Sequence, residues 1–170
     1  MALKKVLSKN DIKSAVWRLA KRISRDYEGK TPVAVCVLLG ARPFFEDLVA
    51  RMTVTVEKQF LRVSSYGAAT QPGRLELVVD VECELEDRDV IIVEDIIDTS
   101  KTAEFILRHV GSKNPGSLRI CALIDKRGRD ATGPVPHYSG FQVEEGFLVG
   151  YGMDYMEKGR ALENIYLLQE

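Results

Sequence analysis

The stretch "DVIIVEDIIDTSKT", residues 89–102, drives the apolar residues 90–93 into the adjacent carboxylates Glu94 and Asp95 and then into a small, hydroxylated turn. A nearly continuous β-branched run of this kind reads as a strand buried on both faces, the type that parallel sheets use. The turn opens a helix expected over about 101–110, with Ala103, Ile106 and Val110 facing inward. A buried strand leading straight into a helix is half of a βαβ unit.

The neighbouring stretches repeat the pattern. "TPVAVCVLLG" (31–40) is an unbroken apolar run closed by glycine, "LRICALID" (118–125) is another, and "GFLVGYGMD" (146–154) holds the last clear strand. Ser8 with Asp11 three residues later starts a helix that carries Ile12, Val16, Leu19 and Ile23 at helical spacing to about Tyr27. Pro43 sits at the first position of another, with Phe44, Phe45, Leu48, Val49 and Met52 on one stripe. Residues 57–66 read as a strand that fades into "GAATQPG" (67–73), too polar and small to pack and expected to be a mobile loop. Residues 75–81 return as a strand pairing with it as an arm. Strands alternating with helices predict an α/β fold with a mainly parallel twisted sheet covered by helices on both faces. In such sheets ligands bind beyond the carboxyl ends of the strands.

Composition limits the function. The chain has 170 residues, 45% hydrophobic and 29% charged, with net charge −1, which fits a single domain and gives no reason to expect nucleic acid as a partner. No apolar run is long enough to span a bilayer and no secretory h-region opens the chain, so the expectation is a cytoplasmic protein without membrane contact. Cys36, Cys83 and Cys121 form no CxxC pair and read as buried thiols in a reducing compartment. His109 and His137 lack metal-ligand spacing, so a structural zinc site is not expected.

The opening stretch has chemistry available to it. Glu94 and Asp95, at a strand's carboxyl end and on opposite faces, can accept hydrogen bonds from vicinal hydroxyls or help hold Mg²⁺. In Asp98, Thr99, Ser100, Lys101 and Thr102, free backbone N–H groups, the helix dipole and the hydroxyls converge on a point suited to a phosphate. The plainer alternative is a strand ending in a capped helix, with Asp98 as N-cap and the acid pair solvated. A nucleoside-triphosphate P-loop is ruled out, because no GxxxxGK[ST] pattern is present.

"VIIVEDIIDTSKT" resembles the phosphoribosyl-pyrophosphate (PRPP) signature of the type I phosphoribosyltransferases, and most closely their hypoxanthine-guanine branch. "LIDKR" (123–127) and "FLVGYGMDY" (147–155) followed by Arg160 agree in order and spacing. The resemblance implies the type I fold with a small hood subdomain, in one domain with a flexible active-site loop around 64–74 beginning at "SSY". It implies that Glu94 and Asp95 bind the ribose hydroxyls of PRPP and that Asp98, Thr99, Ser100, Lys101 and Thr102 cradle its 5′-phosphate. Asp98 matches the acid beside purine N7 and Lys126 the donor to O6. Phe147 matches the aromatic that stacks on the base, and Leu148 the residue whose backbone meets the base edge. Leu39, Gly40 and Arg160 match pyrophosphate contacts, and Asp154 a carboxylate contacting Mg²⁺, with Glu94 and Asp95 as further candidates.

The implied activity is transfer of the phosphoribosyl group from PRPP to N9 of hypoxanthine or guanine, with Mg²⁺, in a homodimer or homotetramer. Two departures stand out: "LLGA" (38–41) has Leu39 where the family usually carries lysine, and Ser100 replaces the glycine of DTGKT. The competing readings are a PRPP- or nucleotide-sensing regulator on the same fold and a transferase that prefers xanthine.

Overall fold

The computed structural model describes residues 2–66, 74–98, 101–127, 133–144 and 146–169. Their order is β1 (Ala2–Leu7), α1 (Lys9–Asp26), β2 (Val33–Leu38), α2 (Arg42–Val49), β3 (Glu57–Tyr66), β4 (Arg74–Val79) and β5 (Asp89–Ile97). Then come α3 (Lys101–Gly111), β6 (Ser117–Asp125), β7 (Tyr138–Gln142), β8 (Phe147–Val149) and β9 (Ile165–Gln169). Residues 67–73, within the expected flexible loop, lie outside the described residues. On either side of them, residues 64–66 complete β3, in line with the strand expected over 57–66, and Arg74 opens β4.

The main sheet runs β4-β3-β2-β5-β6-β7. β2, β3, β5, β6 and β7 pair in parallel, and only β4 is antiparallel, to β3. The buried runs of β2 and β5 follow from helices on both faces, as the continuous apolar sequences require. On one face, α1 and α2 contribute Ile12, Val16, Leu19, Ile23, Phe44, Phe45 and Leu48 to a core with Ala34, Cys36, Ile91 and Val93. On the other, Ala103, Ile106 and Val110 of α3 meet Val33, Val35, Val90 and Ile92. Alternation along each strand separates the two sets.

α1 begins as its sequence demands. The Ser8 N–H donates to Asp11 Oδ2 (2.8 Å) and the Asp11 N–H donates to Ser8 Oγ (3.2 Å), a complete capping box. Three strands have no counterpart in the sequence reading. β1 and β9 pair antiparallel and, with β8, form a second, three-stranded sheet, the expected hood. β7 extends the main sheet beyond β6. Cys36 and Cys121 are buried as expected and burial pushes the Cys36 thiol up to about 12, but Cys83 is only partly buried.

Where the sheet positions ligands follows from its topology. From β2 the chain moves outward to β3 and β4, then returns to β2's other side for β5, β6 and β7, so the strand order reverses at the β2/β5 boundary. There the ladder opens early. β2–β5 pairing ends at Cys36↔Val93, whereas β2–β3 pairing runs on to Leu38↔Arg62 and β5–β6 pairing to Ile97↔Asp125.

Candidate active site

Glu94 and Asp95 are the first residues of β5 past that opening. This corrects the expectation that the strand stops at the acid pair, because β5 continues to Ile97 and only its β2 partner is lost. Asp95 is 8% exposed and Glu94 half-buried, and both line the same cavity, so the pair acts together there instead of on separate faces. They open onto a cavity of about 450 Å³ beyond the strands' carboxyl ends.

Leu39 and Gly40 reach that cavity from the turn after β2, Glu94, Asp95 and Asp98 from β5 and its end, and Thr102 from the first turn of α3. Lys126 follows β6, and Phe147, Leu148, Asp154 and Arg160 come from β8 and the chain after it. Lys101 opens α3 beside Thr102 and its side chain is exposed. Thr99 and Ser100 lie outside the described residues.

Burial sets the electrostatics of the acid pair. Desolvation, reinforced by the neighbouring Asp95 charge, raises Glu94 well above the usual carboxylate range, and desolvation raises Asp95 as well. Hydrogen bonds compensate only in part: the Ile96 N–H donates to Asp95 Oδ1 at 2.9 Å and the Asp95 N–H to Glu94 Oε1 at 3.3 Å. Two crowded carboxyls with unfilled acceptor capacity favour a ligand that brings hydroxyl donors or positive charge.

The 38–41 turn is wedged against this pair. The Leu38–Leu39 peptide is cis, and a Cβ on Gly40 would stand 2.1 Å from Asp95 Oδ2, so only glycine permits the close approach. From the other side Gly152, at φ +99°, brings its backbone so near that a Cβ there would lie 2.0 Å from the Gly40 carbonyl oxygen. Arg160 fixes Gly152, its Nη1 donating to the Gly152 carbonyl (2.9 Å), and its Nη2 pairs with Asp154 Oδ1 at 2.6 Å.

Across the cavity, the Lys126 N–H donates to the Ile97 carbonyl (2.8 Å) and Lys126 Nζ donates to Asp98 Oδ2 (2.7 Å). Phe147 is 49% exposed, and Tyr155 meets its ring nearly edge-on, at 5.3 Å between centroids and 79° between planes. Half of the Phe147 surface thus stays open where the ring lines the cavity, as stacking on a flat ligand would require. Tyr155 lay inside the quoted FLVGYGMDY stretch without an assigned role. Arg62 of β3 was missed altogether: it also lines the cavity, and alternation from Phe60 was the signal that placed it on that face.

A divalent metal can be tested against the donors present. Among the described residues no three His, Cys, Asp or Glu side chains converge to hold an ion by themselves. The available donors are hard carboxylate oxygens of Glu94, Asp95 and Asp154. That set fits Mg²⁺, which typically takes one or two carboxylates and fills its shell with waters and substrate phosphates.

The phosphoribosyl transferase domain model matches residues 3–156. The chain belongs to the phosphoribosyltransferase family. The Streptococcus thermophilus hypoxanthine-guanine phosphoribosyltransferase is 37% identical, the alignment covering 99% of this chain and 94% of that protein. A Tritrichomonas foetus hypoxanthine-guanine-xanthine phosphoribosyltransferase is also 37% identical, over 99% of this phosphoribosyltransferase and 93% of its relative. A solved Bacillus anthracis hypoxanthine-guanine phosphoribosyltransferase, with a HEPES molecule in its active site, superposes with a TM-score of 0.92 at 35% identity. It covers 99% of this chain and 100% of that one. No described helix of this phosphoribosyltransferase is long and apolar enough to cross a membrane.

Proposed function

We propose that this phosphoribosyltransferase is a purine salvage enzyme that transfers the 5-phosphoribosyl group of PRPP to N9 of hypoxanthine or guanine, releasing pyrophosphate. The observation that carries the reading is the convergence, on one cavity, of the Glu94–Asp95 pair, the first turn of α3 and the Lys126–Asp98 pair. Each matches a different part of the two substrates.

In this reading Glu94 and Asp95 accept hydrogen bonds from the ribose 2′ and 3′ hydroxyls, which meet the acceptor demand that burial creates. The start of α3, with Asp98, Lys101 and Thr102 and the intervening Thr99 and Ser100, holds the 5′-phosphate. Phe147 stacks on the base and the Leu148 backbone meets its edge. Lys126 Nζ donates to O6 and Asp98 exchanges a proton with N7. A cation at the 6-position accepts a carbonyl and repels an amine, so adenine is rejected.

Displacement at the anomeric carbon builds positive charge on the ribose and negative charge on the leaving group. The Leu39–Gly40 turn and Arg160 receive the pyrophosphate, with the guanidinium offsetting its charge. Bound Mg²⁺, held through Asp154 with Glu94 and Asp95 as further candidates, supplies charge neutralisation on that leaving group. The enzyme works in the cytoplasm as a homodimer or homotetramer.

The test is an assay with PRPP and Mg²⁺ against hypoxanthine, guanine, xanthine and adenine in turn, measuring nucleotide and pyrophosphate. Turnover with hypoxanthine or guanine and none with adenine is expected. No pyrophosphate with any 6-oxopurine would reject the reading. Xanthine belongs in the set because a relative at equal identity is named for all three bases.

A further inference from the structure

Of the cations that line the cavity, two are already committed. Lys126 Nζ lies 2.7 Å from Asp98 and Arg160 Nη2 lies 2.6 Å from Asp154. The third is Arg62. Among the described residues no carboxylate lies within ion-pair distance of it, and its side chain is exposed.

Its position is set by the sheet. Arg62 is the parallel register partner of Leu38, so it stands on the strand next to the cis turn at Leu39 and Gly40. Leu61, one residue earlier, is fully buried in the core beneath α3, so alternation turns Arg62 to the opposite face, the side of Phe60, where it lines the cavity with Asp95. The β3–β4 ladder is irregular between Arg62 and Val63, the kind of local register shift that re-aims a side chain at the rim of a site. The turn beside it contributes only Leu38, Leu39, Gly40 and Ala41, which bring no charge of their own to a multiply anionic group.

We propose that Arg62 binds the pyrophosphate group of the phosphoribosyl donor, supplying from β3 the positive charge that Leu39 does not supply from the turn. The inference rests on the activity proposed above. A guanidinium suits this role because its planar fork can engage two phosphate oxygens at once and stays charged throughout. The plain alternative is a solvated arginine at a sheet rim.

Calorimetric titration separates the two, because pyrophosphate and IMP occupy different parts of the cavity. Magnesium pyrophosphate and IMP are titrated separately into the wild-type protein, Arg62→Gln and Arg62→Lys. In Arg62→Gln the pyrophosphate Kd is expected to rise about tenfold, the loss of one charge-assisted contact, while the IMP Kd stays the same. Arg62→Lys, which keeps the charge and loses the fork, falls between. An unchanged pyrophosphate Kd in Arg62→Gln, or equal weakening of both ligands, overturns the assignment. A wild-type protein that binds neither ligand overturns the proposed activity itself, and the inference with it.

Discussion

Lys126 Nζ lies 2.7 Å from Asp98 Oδ2, so the two groups assigned to the purine's O6 and N7 neutralise each other across the mouth of the cavity. The lysine is the more enclosed partner, its side chain 15% exposed against 51% for the aspartate. In the proposed reading, a 6-oxopurine entering between them would replace this pair with one acceptor for the lysine and one proton site for the carboxyl. Asp98→Asn removes the proton-exchanging group and is expected to lower kcat by about a hundredfold or more while PRPP binding stays near the wild-type value. Equal turnover in the variant would remove the acid-base role. Lys126→Ala is expected to erode discrimination against adenine by about tenfold, read as the ratio of kcat/KM values for hypoxanthine and adenine.

The contact between Gly40 and Asp95 predicts a second outcome. Any side chain at position 40 meets the Asp95 carboxylate, since a Cβ would lie 2.1 Å from Oδ2, and the opposite side is closed by Gly152. Gly40→Ala must shift either the turn or the acid. It is expected to cost about 1–3 kcal/mol of stability by overpacking and to raise the PRPP KM more than that of the base. A variant with wild-type melting temperature and wild-type PRPP KM would show that the turn has room this structure does not give it.

Legibility from sequence tracked burial. β2, β5 and β6 announce themselves because both faces are covered, so their sequences are unbroken apolar runs. β1 fails to do so for the opposite reason: it is an edge strand, exposed almost throughout, and "ALKKVL" carries no alternation to read. β9 has one fully buried residue, Ile165, and depends on β1 and β8 for its pairing partners. In the site, the acid pair and Lys126 were visible because each sits in a distinctive local string. Arg62 was not, because its importance comes from β2 lying beside it in space, and an arginine following a buried leucine is unremarkable in one dimension. The premature end of the β2–β5 ladder is likewise a property of two strands together, and β5 alone gave the impression that the strand stops at Glu94.

A third prediction concerns the support beneath Lys126. Asp125, 6% exposed, receives Arg127 Nε and Nη2 on its two oxygens, both at 2.8 Å, and this fork holds its carboxyl below the usual range. A depressed folded-state value means that the unfolded chain binds the proton more readily. The pair's stabilisation is therefore complete above the unfolded carboxylate value near about 3.9 and is lost as pH falls through the lower folded value. Arg127→Met leaves the carboxylate buried without its partner and is expected to cost about 3 kcal/mol at neutral pH. The pH dependence then changes sign, because an unpaired buried Asp125 prefers its proton and the variant loses stability as pH rises above about 4. Urea denaturation from pH 4 to 8 checks this, and parallel curves for the two proteins would refute it.

The last prediction turns on the ring pair at the base end. Phe147 is half exposed at the start of β8 and lines the cavity, while Tyr155 packs nearly perpendicular to it, so the strand and the turn after it both position the ring. A single exposed phenylalanine needs no explanation by itself. Here the exposure has a use if a planar base covers the ring, a contact worth about 1–3 kcal/mol, or about a fivefold to 150-fold effect on base affinity. Phe147→Ala is expected to raise KM for hypoxanthine by that factor with little change in the PRPP KM, and Phe147→Trp to retain most of the affinity. Tyr155 touches the ring, so Tyr155→Ala should act through the ring's position and produce a smaller rise of the same kind. If Phe147→Ala instead weakened PRPP and the base alike, the ring would be packing the hood against the sheet, and its open face would be incidental to the base.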